Sequence, residues 1–278
     1  MCVMRRLFLI FTITILLGAC SSSIVYNNAD FLVKWWVSKY IDFNPQQQPV
    51  VENTIDAWLS WHRQSEIPRY QQQLNTLKTA VTTKQFSRPQ LEQQFTETLS
   101  HIERIRQRIA PDVAAIGVTL DIDQLSQLFA TINHERKERA EDFVKRQKKQ
   151  PSRAERMMES MEEYIGPMSQ SQAQIVESYV SQLNATYSLW QEYGDVSNQT
   201  ARKILLSAGF DELAQQRLAD FIVNQETLQP RALQAASEAN KALYIDMLWA
   251  IFPTLSPRQR DELIAKIDEY LTLLQSIS

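Results

Sequence analysis

The apolar residues of this chain recur every three or four positions along most of its length. That spacing is close to the 3.6-residue period of an amphipathic helix with one buried face. We find no convincing alternation of apolar and polar residues of the kind that indicates a strand. The pattern predicts an all-α fold, a multi-helix bundle of roughly nine to eleven helices with no sheet. The clearest stripes are Val51, Ile55, Trp58, Leu59 and His62; Leu91, Phe95, Leu99, Ile102 and Ile109; and Ile264, Ile267, Tyr270, Leu271 and Leu274.

Glycine and proline fall between these stripes or in first turns, where residues that break helices are expected. After residue 19 the chain has only four glycines: Gly117, Gly166, Gly194 and Gly209. We expect a helix to end at each of them. The prolines are expected to lie outside helix interiors in the same way.

Three expected helix starts share one local pattern. In each, a serine precedes a glutamine by three residues, and an apolar residue comes just before the serine. This spacing predicts a capping box, in which the two side chains satisfy free amides of the first turn. The pairs are Ser87 with Gln90, Ser169 with Gln172, and Ser256 with Gln259.

The N-terminus reads as a targeting segment. Arg5-Arg6 precede a 13-residue apolar run, residues 7–19, which ends in small residues. At about 1.5 Å per residue this run is too short to cross a hydrocarbon core of about 30 Å, and its basic start is typical of a secretory signal. We therefore interpret residues 1–19 as a signal peptide.

The end of that run resembles the lipobox of bacterial lipoproteins, in the sequence Leu17-Gly18-Ala19-Cys20. The resemblance implies cleavage before Cys20, a diacylglyceryl thioether on its sulfur and acylation of its new amino group. Ser21, where an aspartate would favour the inner membrane, implies the outer membrane with the protein facing the periplasm. The alternative is an ordinary secreted protein with a chance cysteine. Residues 20–24 would be a short linker, and 25–278 a single helical periplasmic domain with a possible subdivision near 150–168.

Charge and cysteine content exclude several function classes. The chain has 29 basic and 32 acidic residues, and loss of Arg5 and Arg6 moves the formal charge from −3 to 27 − 32 = −5. This mildly acidic balance gives no reason to expect a nucleic-acid partner. Cys2 would leave with the signal and Cys20 would be lipidated, so no thiol remains for a disulfide, a nucleophile or a metal site.

Beyond the lipobox, the chain resembles a family of uncharacterised helical lipoproteins of Gram-negative bacteria. The resemblance implies a helical fold and an envelope location, and no activity. Ile67 stands where the family pattern leads us to expect leucine. The residues that carry the resemblance are Tyr26-Asn27-Asn28, Trp35-Trp36, Tyr40 to Asp42, the run Trp61-His62-Arg63-x-x-Glu66-x-Pro68-x-Tyr70, and the segment LSPRQR from Leu255.

One candidate binding site is the densest polar and aromatic cluster, which we call the corner cluster. Pro68 disfavours a helical Ile67, so we expect one helix to end near Ser65 and another to begin there. A histidine, arginines and a glutamate at such a corner could bind a glycan carboxylate or a phosphate. The alternative is a structural corner held by hydrogen bonds and an Arg63–Glu66 pair. The corner cluster comprises Trp58, Trp61, His62, Arg63, Glu66, Arg69 and Tyr70.

A second candidate surface, the basic segment, comprises Lys145, Arg146, Lys148 and Lys149. It could contact anionic phospholipid or peptidoglycan carboxylates by charge attraction that salt weakens. The alternative is a solvated helix end.

Enzymatic and metal chemistry find little support in the residues. Glu97 and His101 lie one helical turn apart, a spacing that can share a metal, but no Glu-x-x-His motif accompanies them. There is no glycine-rich phosphate loop and no Gly-x-Ser-x-Gly motif, and the motifs of helical lytic transglycosylases are missing. We therefore expect no catalytic residue, no metal and no cofactor.

The helix nearest the predicted anchor is expected over Asn28 to Asp42 and is apolar on most of its surface. Either the protein core or the membrane must cover that surface. We favour the core, with Trp35 and Trp36 packed inside, since a wide exposed apolar face would promote aggregation.

The function that these patterns favour is a non-enzymatic binding or structural module of the cell envelope. It would be held to the outer membrane by its acyl chains, with an envelope protein or peptidoglycan as partner. The alternative is a periplasmic stress chaperone, because Leu255-Ser-Pro-Arg-Gln259 is similar to the Leu-Thr-x-x-Gln motif of spheroplast-protein-type chaperones. A peptidoglycan-active enzyme is the least favoured reading.

Overall fold

The computed structural model describes residues 28–147, 151–209, 211 and 213–277. Within these ranges the chain forms eleven α-helices and no strand, which confirms the all-α prediction. In chain order the helices are α1 (Ala29–Ser38), α2 (Gln47–Ser65), α3 (Ile67–Thr83), α4 (Arg88–Gly117), α5 (Ile122–Gln147), α6 (Arg153–Ile165), α7 (Gln170–Val180), α8 (Tyr187–Ser207), α9 (Ala214–Val223), α10 (Arg231–Ile251) and α11 (Pro257–Ser276), with short 3₁₀ turns at Gln225–Leu228 and Phe252–Thr254.

All three predicted capping boxes are present, at the starts of α4, α7 and α11. Ser87 shows the pattern: its Oγ accepts from the amide of Gln90 at 3.3 Å, and its own amide donates to Gln90 Oε1 at 2.7 Å. A fourth box joins Ser152 to Glu155 at the start of α6, where a carboxylate accepts in place of the glutamine oxygen. These bonds satisfy first-turn amides that have no partner within the helix.

Two expected helix breaks are wrong. The 30-residue helix α4 continues through Pro111, because Ala110 and Ala114 on either side are fully buried against the core and that packing outweighs the local cost of proline. Gly194 lies inside α8, where an added Cβ would come within 2.9 Å of Arg136 Nη1. This glycine therefore allows a close approach to α5 and does not end the helix.

The core consists of several apolar clusters, each joining helices that are distant in sequence. The first unites α4, α5, α8 and α9, with Ala114, Phe129 and Leu218 among its buried members. The second unites α6, α7, α10 and α11. A third fixes the start of α3, through Ile67, to the end of α11, through Leu274. The predicted stripes are thus the faces that meet in these clusters.

Two glutamines from different capping boxes also bind each other. Gln172 donates from Nε2 to Gln259 Oε1 at 2.9 Å, and Gln259 returns the bond at 3.0 Å. Their remaining N–H groups go to the carbonyls of Thr254, at 3.3 Å, and Pro167, at 2.9 Å. Both side chains are buried, so this glutamine pair fixes the starts of α7 and α11 to each other.

The same arrangement occurs a second time, between Gln47 and Gln124. Their amides exchange bonds of 2.7 and 3.2 Å, and their other N–H groups go to the carbonyls of Asp42, at 2.8 Å, and Thr119, at 2.9 Å. In both pairs the accepting carbonyl lies five residues before the partner glutamine. The same pair of reciprocal glutamine hydrogen bonds therefore occurs twice in the fold, between residues 77 and 87 positions apart.

The first helix differs from its prediction in length and in packing. It ends at Ser38, and it lies mainly against α2, so only one of its faces is covered. Phe31 is 65% exposed and Trp35 50% exposed, while Trp36 is half-buried and packs against Tyr40 with the rings tilted by 52° and their centroids 4.6 Å apart. The expectation that both tryptophans pack in the core is wrong for Trp35. No helix in the described ranges is long and apolar enough to cross a membrane.

Candidate functional site

The corner predicted from Pro68 exists: α2 ends at Ser65 and α3 begins at Ile67. Glu66 occupies the junction and is only 1% exposed, although it carries a carboxylate. His62, one turn earlier, is 3% exposed. A buried carboxylate is costly unless it is paired and hydrogen-bonded, so the partners of Glu66 decide what the corner does.

Those partners come from α4. Arg104 donates from Nε to Glu66 Oε1 at 3.0 Å and from Nη2 to Oε2 at 3.2 Å. His101 Nδ1 lies 3.1 Å from the same Oε2. Arg69 approaches Glu66 at 3.7 Å. The expected pairing of Glu66 with Arg63 is thus replaced by pairing with Arg104, because the corner packs directly on α4.

Two histidines extend this network. His101 Nε2 lies 2.8 Å from Gln73 Oε1, and His62 Nε2 lies 3.1 Å from the hydroxyl of Tyr70, whose ring meets the His101 ring edge-on at 4.5 Å. Burial lowers the pKa of His62 to about 3. Burial also lowers the pKa of His101, against the opposing effect of its hydrogen bond to Glu66. Burial therefore disfavours the charged form of both rings, and their role here is to hold the corner.

The other members of the corner cluster do not converge on one concave surface. Trp58 donates from Nε1 to Asp112 Oδ2 at 2.8 Å, and this carboxylate also accepts from Arg108 at 2.9 Å. Trp61 and Arg63 are half-buried, and Arg69 is exposed. The structure thus separates the predicted site into a buried network and scattered outer side chains. The described residues include no group of three or more histidine, cysteine or acidic side chains placed to hold a metal.

The basic segment lies mostly beyond what the structure describes. Lys145 is exposed and lies 3.9 Å from Glu141 Oε2. The side chain of Arg146 and the whole of Lys148 and Lys149 lie outside the described residues. So do the signal peptide and Cys20. Anionic contact by this segment and lipidation of Cys20 therefore remain predictions.

The structure contains a cavity that the sequence patterns did not predict. It has a volume of about 300 Å³, is partly open to solvent, and is lined by residues of α1, α2, α4, α5, α8 and α9. Its walls are mostly apolar, with Ile55 from α2, Val113 from α4 and Ile132 from α5 among them. Protein interiors contain few voids larger than a water molecule, whereas small-molecule pockets begin at about 300 Å³. Each stripe read alone looks like ordinary core, so only their arrangement in space reveals the unfilled volume.

Polar groups line one part of this cavity. Arg136 and Arg139 reach it from one face of α5, and Ser197 reaches it from α8. Arg136 Nη2 donates to Asp195 Oδ1 at 2.6 Å, and Arg139 Nη1 donates to Glu135 Oε2 at 3.2 Å. Arg136 Nη2 also donates to the carbonyl of Gln191 at 3.2 Å, so among the described residues Arg136 has two acceptors and Arg139 has one.

One donor in this part of the cavity, Arg139 Nη2, is buried without a hydrogen bond among the described residues. The Ser197 side chain is 2% exposed, and its hydroxyl interacts with that of Tyr193, which donates to the carbonyl of Gln225 at 2.8 Å. A buried polar group without a partner costs free energy, and more so when it belongs to a charged group. A hydrogen-bond acceptor placed in the cavity beside Arg139 would satisfy this donor.

Together the fold and this cavity define an all-α protein built around a mainly apolar pocket with guanidinium groups at one side. The chain belongs to a family of unknown function (DUF6279), whose sequence model matches residues 39–233. That range begins before α2 and ends within α10, so it includes the corner and most of the cavity wall, but not Trp35-Trp36 or the LSPRQR segment. No curated protein and no solved structure matches the chain. The predicted membership of an uncharacterised family is confirmed, while the lipoprotein signal and a Gram-negative origin remain predictions.

Proposed function

We propose that this protein is an outer-membrane lipoprotein that faces the periplasm and acts as a non-enzymatic binding module of the cell envelope. The observation that carries the binding role is the apolar cavity with the guanidinium of Arg139, one of whose buried donors has no hydrogen bond among the described residues. Pockets that combine apolar walls with a few convergent polar groups are typical ligand sites. The buried corner network supports the same fold and supplies no open chemistry of its own.

The anchor is supported by the sequence before Cys20 and by the exposed face of α1. Phe31 and Trp35 lie one turn apart on that helix and are both exposed, and Lys39 Nζ lies 3.4 Å from the Trp35 ring centroid. Aromatic side chains and lysines favour the membrane interface. Cys20 precedes Asn28 by eight residues, which span at most about 28 Å when extended. A lipidated Cys20 would therefore keep this face close to the membrane surface.

The test of the anchor is incorporation of labelled palmitate followed by membrane fractionation. The wild-type chain should carry the label and separate with outer membranes. Cys20→Ala should remain unprocessed and unlabelled, while Cys2→Ala, the matched control within the signal, should be labelled as in wild type. Label on the Cys20→Ala chain would contradict the lipobox assignment.

A periplasmic stress chaperone is the second candidate. Large apolar side chains are exposed at several separate places, including Ile122 at 67% and Leu213 at 53%, and such residues could contact unfolded clients. The Leu255 to Gln259 motif gives weaker support, because Gln259 is engaged in the buried glutamine pair with Gln172. Suppression of client aggregation at stoichiometric amounts would favour the chaperone. A bound small molecule without such suppression would favour the binding module.

A further inference from the structure

The cavity combines two kinds of surface whose arrangement suggests a ligand. Phe129 and Ile132 of α5 face Ala201 and Leu205 of α8 across its apolar part. Arg136 and Arg139 lie one and two turns beyond Ile132 on the same helix, so one side of the cavity is apolar and the other is cationic. A ligand that satisfies both must be amphiphilic.

The cationic side is shaped by a close approach between two helices. Arg136 reaches the backbone of α8 because residue 194 is glycine, where a Cβ would lie 2.9 Å from Nη1. Three residues later on each helix come Arg139 and Ser197, which both line the cavity. Arg139 Nη2 is buried without a hydrogen bond among the described residues. This donor needs a hydrogen-bond acceptor, and the guanidinium charge favours an anionic one.

The two nearby carboxylates do not remove this preference. Asp195, the partner of Arg136, is 64% exposed, so water screens much of its charge. Glu135, the partner of Arg139, is 24% exposed and already accepts the Tyr40 hydroxyl at 2.5 Å. Arg139 Nη2 remains without a hydrogen bond among the described residues, on a side chain that lines the cavity.

We propose that the cavity binds one single-chain amphiphile with an anionic head, whose carboxylate or phosphate meets Arg139, Arg136 and Ser197 while its acyl chain fills the apolar part. A methylene group is similar in size to a water molecule, whose share of liquid volume is about 30 Å³, so the cavity of about 300 Å³ takes roughly ten carbons or more. That volume holds about the first ten carbons of one chain, so a longer chain would extend beyond the cavity, and it is small for a two-chain phospholipid. The assignment rests on the binding role proposed above and names its ligand; it does not depend on lipidation of Cys20.

The experiment places the full-length protein in lipid nanodiscs and adds palmitic acid that carries a photoreactive diazirine in the middle of its chain, within the first ten carbons. After irradiation and proteolysis, mass spectrometry locates the adducts. We expect them on cavity residues such as Ile132 and Ala201. The same diazirine on hexadecanol, which lacks the anionic head, should label those residues about tenfold less or weaker still. Competition by unlabelled palmitic acid and by lysophosphatidylglycerol shows which anionic head the site prefers.

Two variants and one control separate binding from folding. Arg139→Gln should reduce cavity labelling about tenfold. Arg258→Gln, which also removes an arginine with a glutamate partner one turn away, should leave it unchanged because Arg258 is exposed at the far end of the fold. Ala201→Phe should fill the cavity, abolish labelling and keep or raise the melting temperature.

Adducts confined to the outer surface, or equal labelling of the cavity in wild type, Arg139→Gln and Ala201→Phe, would overturn the proposal. Labelled palmitate at Cys20 without cavity adducts would support the proposed anchor and contradict the proposed ligand. Cavity adducts without label at Cys20 would support the proposed ligand and contradict the proposed anchor.

Discussion

Glu66→Ala tests whether the buried corner holds the fold together. The substitution removes the carboxylate that accepts from Arg104 and lies 3.1 Å from His101 Nδ1. Arg104 is 26% exposed and would be left without its main partner inside the protein. Breaking a buried ion pair from one side costs about 3–5 kcal/mol. We expect a value near 3 kcal/mol, since water can reach part of the guanidinium.

The assay is urea and thermal unfolding followed by circular dichroism, with the variants compared in one background. For a domain of this size, about 3 kcal/mol corresponds to a fall of roughly 6–12 °C in melting temperature. Glu97→Ala is the matched control, because Glu97 contacts the same Arg104 at 3.4 Å but is 44% exposed. It should cost less than about 1 kcal/mol.

Glu66→Gln removes the charge of this side chain and keeps its shape. Its free energy of unfolding should lie between those of the wild type and Glu66→Ala. A loss for Glu66→Ala no larger than that for Glu97→Ala would refute the reasoning. The corner would then be a surface feature, and the open binding site first predicted there would regain support.

Two further predictions concern pH and the basic segment. The pKa of His62 is lowered to about 3 in the folded chain. Between about pH 6.5 and pH 3 the unfolded chain therefore binds a proton at this residue that the folded chain does not. The free energy of unfolding should fall by up to about 1.4 kcal/mol per pH unit as the pH drops through this window. His62→Gln should flatten that slope, and an unchanged slope would contradict the assignment. Changing Lys145, Arg146, Lys148 and Lys149 to glutamine should weaken binding to anionic liposomes or peptidoglycan sacculi at low salt, with little change in melting temperature. Unchanged binding would leave this segment as a solvated helix end.

Local sequence chemistry predicted much of the fold. Pro68 located the boundary between α2 and α3, and the serine and glutamine pairs located the starts of α4, α7 and α11. These features depend only on neighbouring residues. The helix breaks expected at Pro111 and Gly194 are wrong, because at both positions contacts with residues distant in the chain determine the local structure.

The site was harder to predict because its parts are distant in sequence. Arg104 and His101 lie 38 and 35 residues from Glu66, so the corner cluster was identified without the partners that neutralise it. The cavity is a volume that side chains leave unfilled where six helices meet. The apolar stripe of one helix does not show whether its neighbours fill the space beside it. The exposure of Trp35 likewise depends on how few helices α1 contacts.

A bound amphiphile is tested most directly by measuring the lipid that stays with the purified protein. The chain is isolated from membranes, extracted with organic solvent, and the extract is analysed by quantitative mass spectrometry. Acyl groups attached at Cys20 would remain with the polypeptide, so the extract reports only non-covalent ligand. We predict about one single-chain anionic amphiphile per wild-type chain, and about tenfold less or lower still for Ala201→Phe. No such lipid in the wild-type extract, or equal amounts in both, would contradict the account.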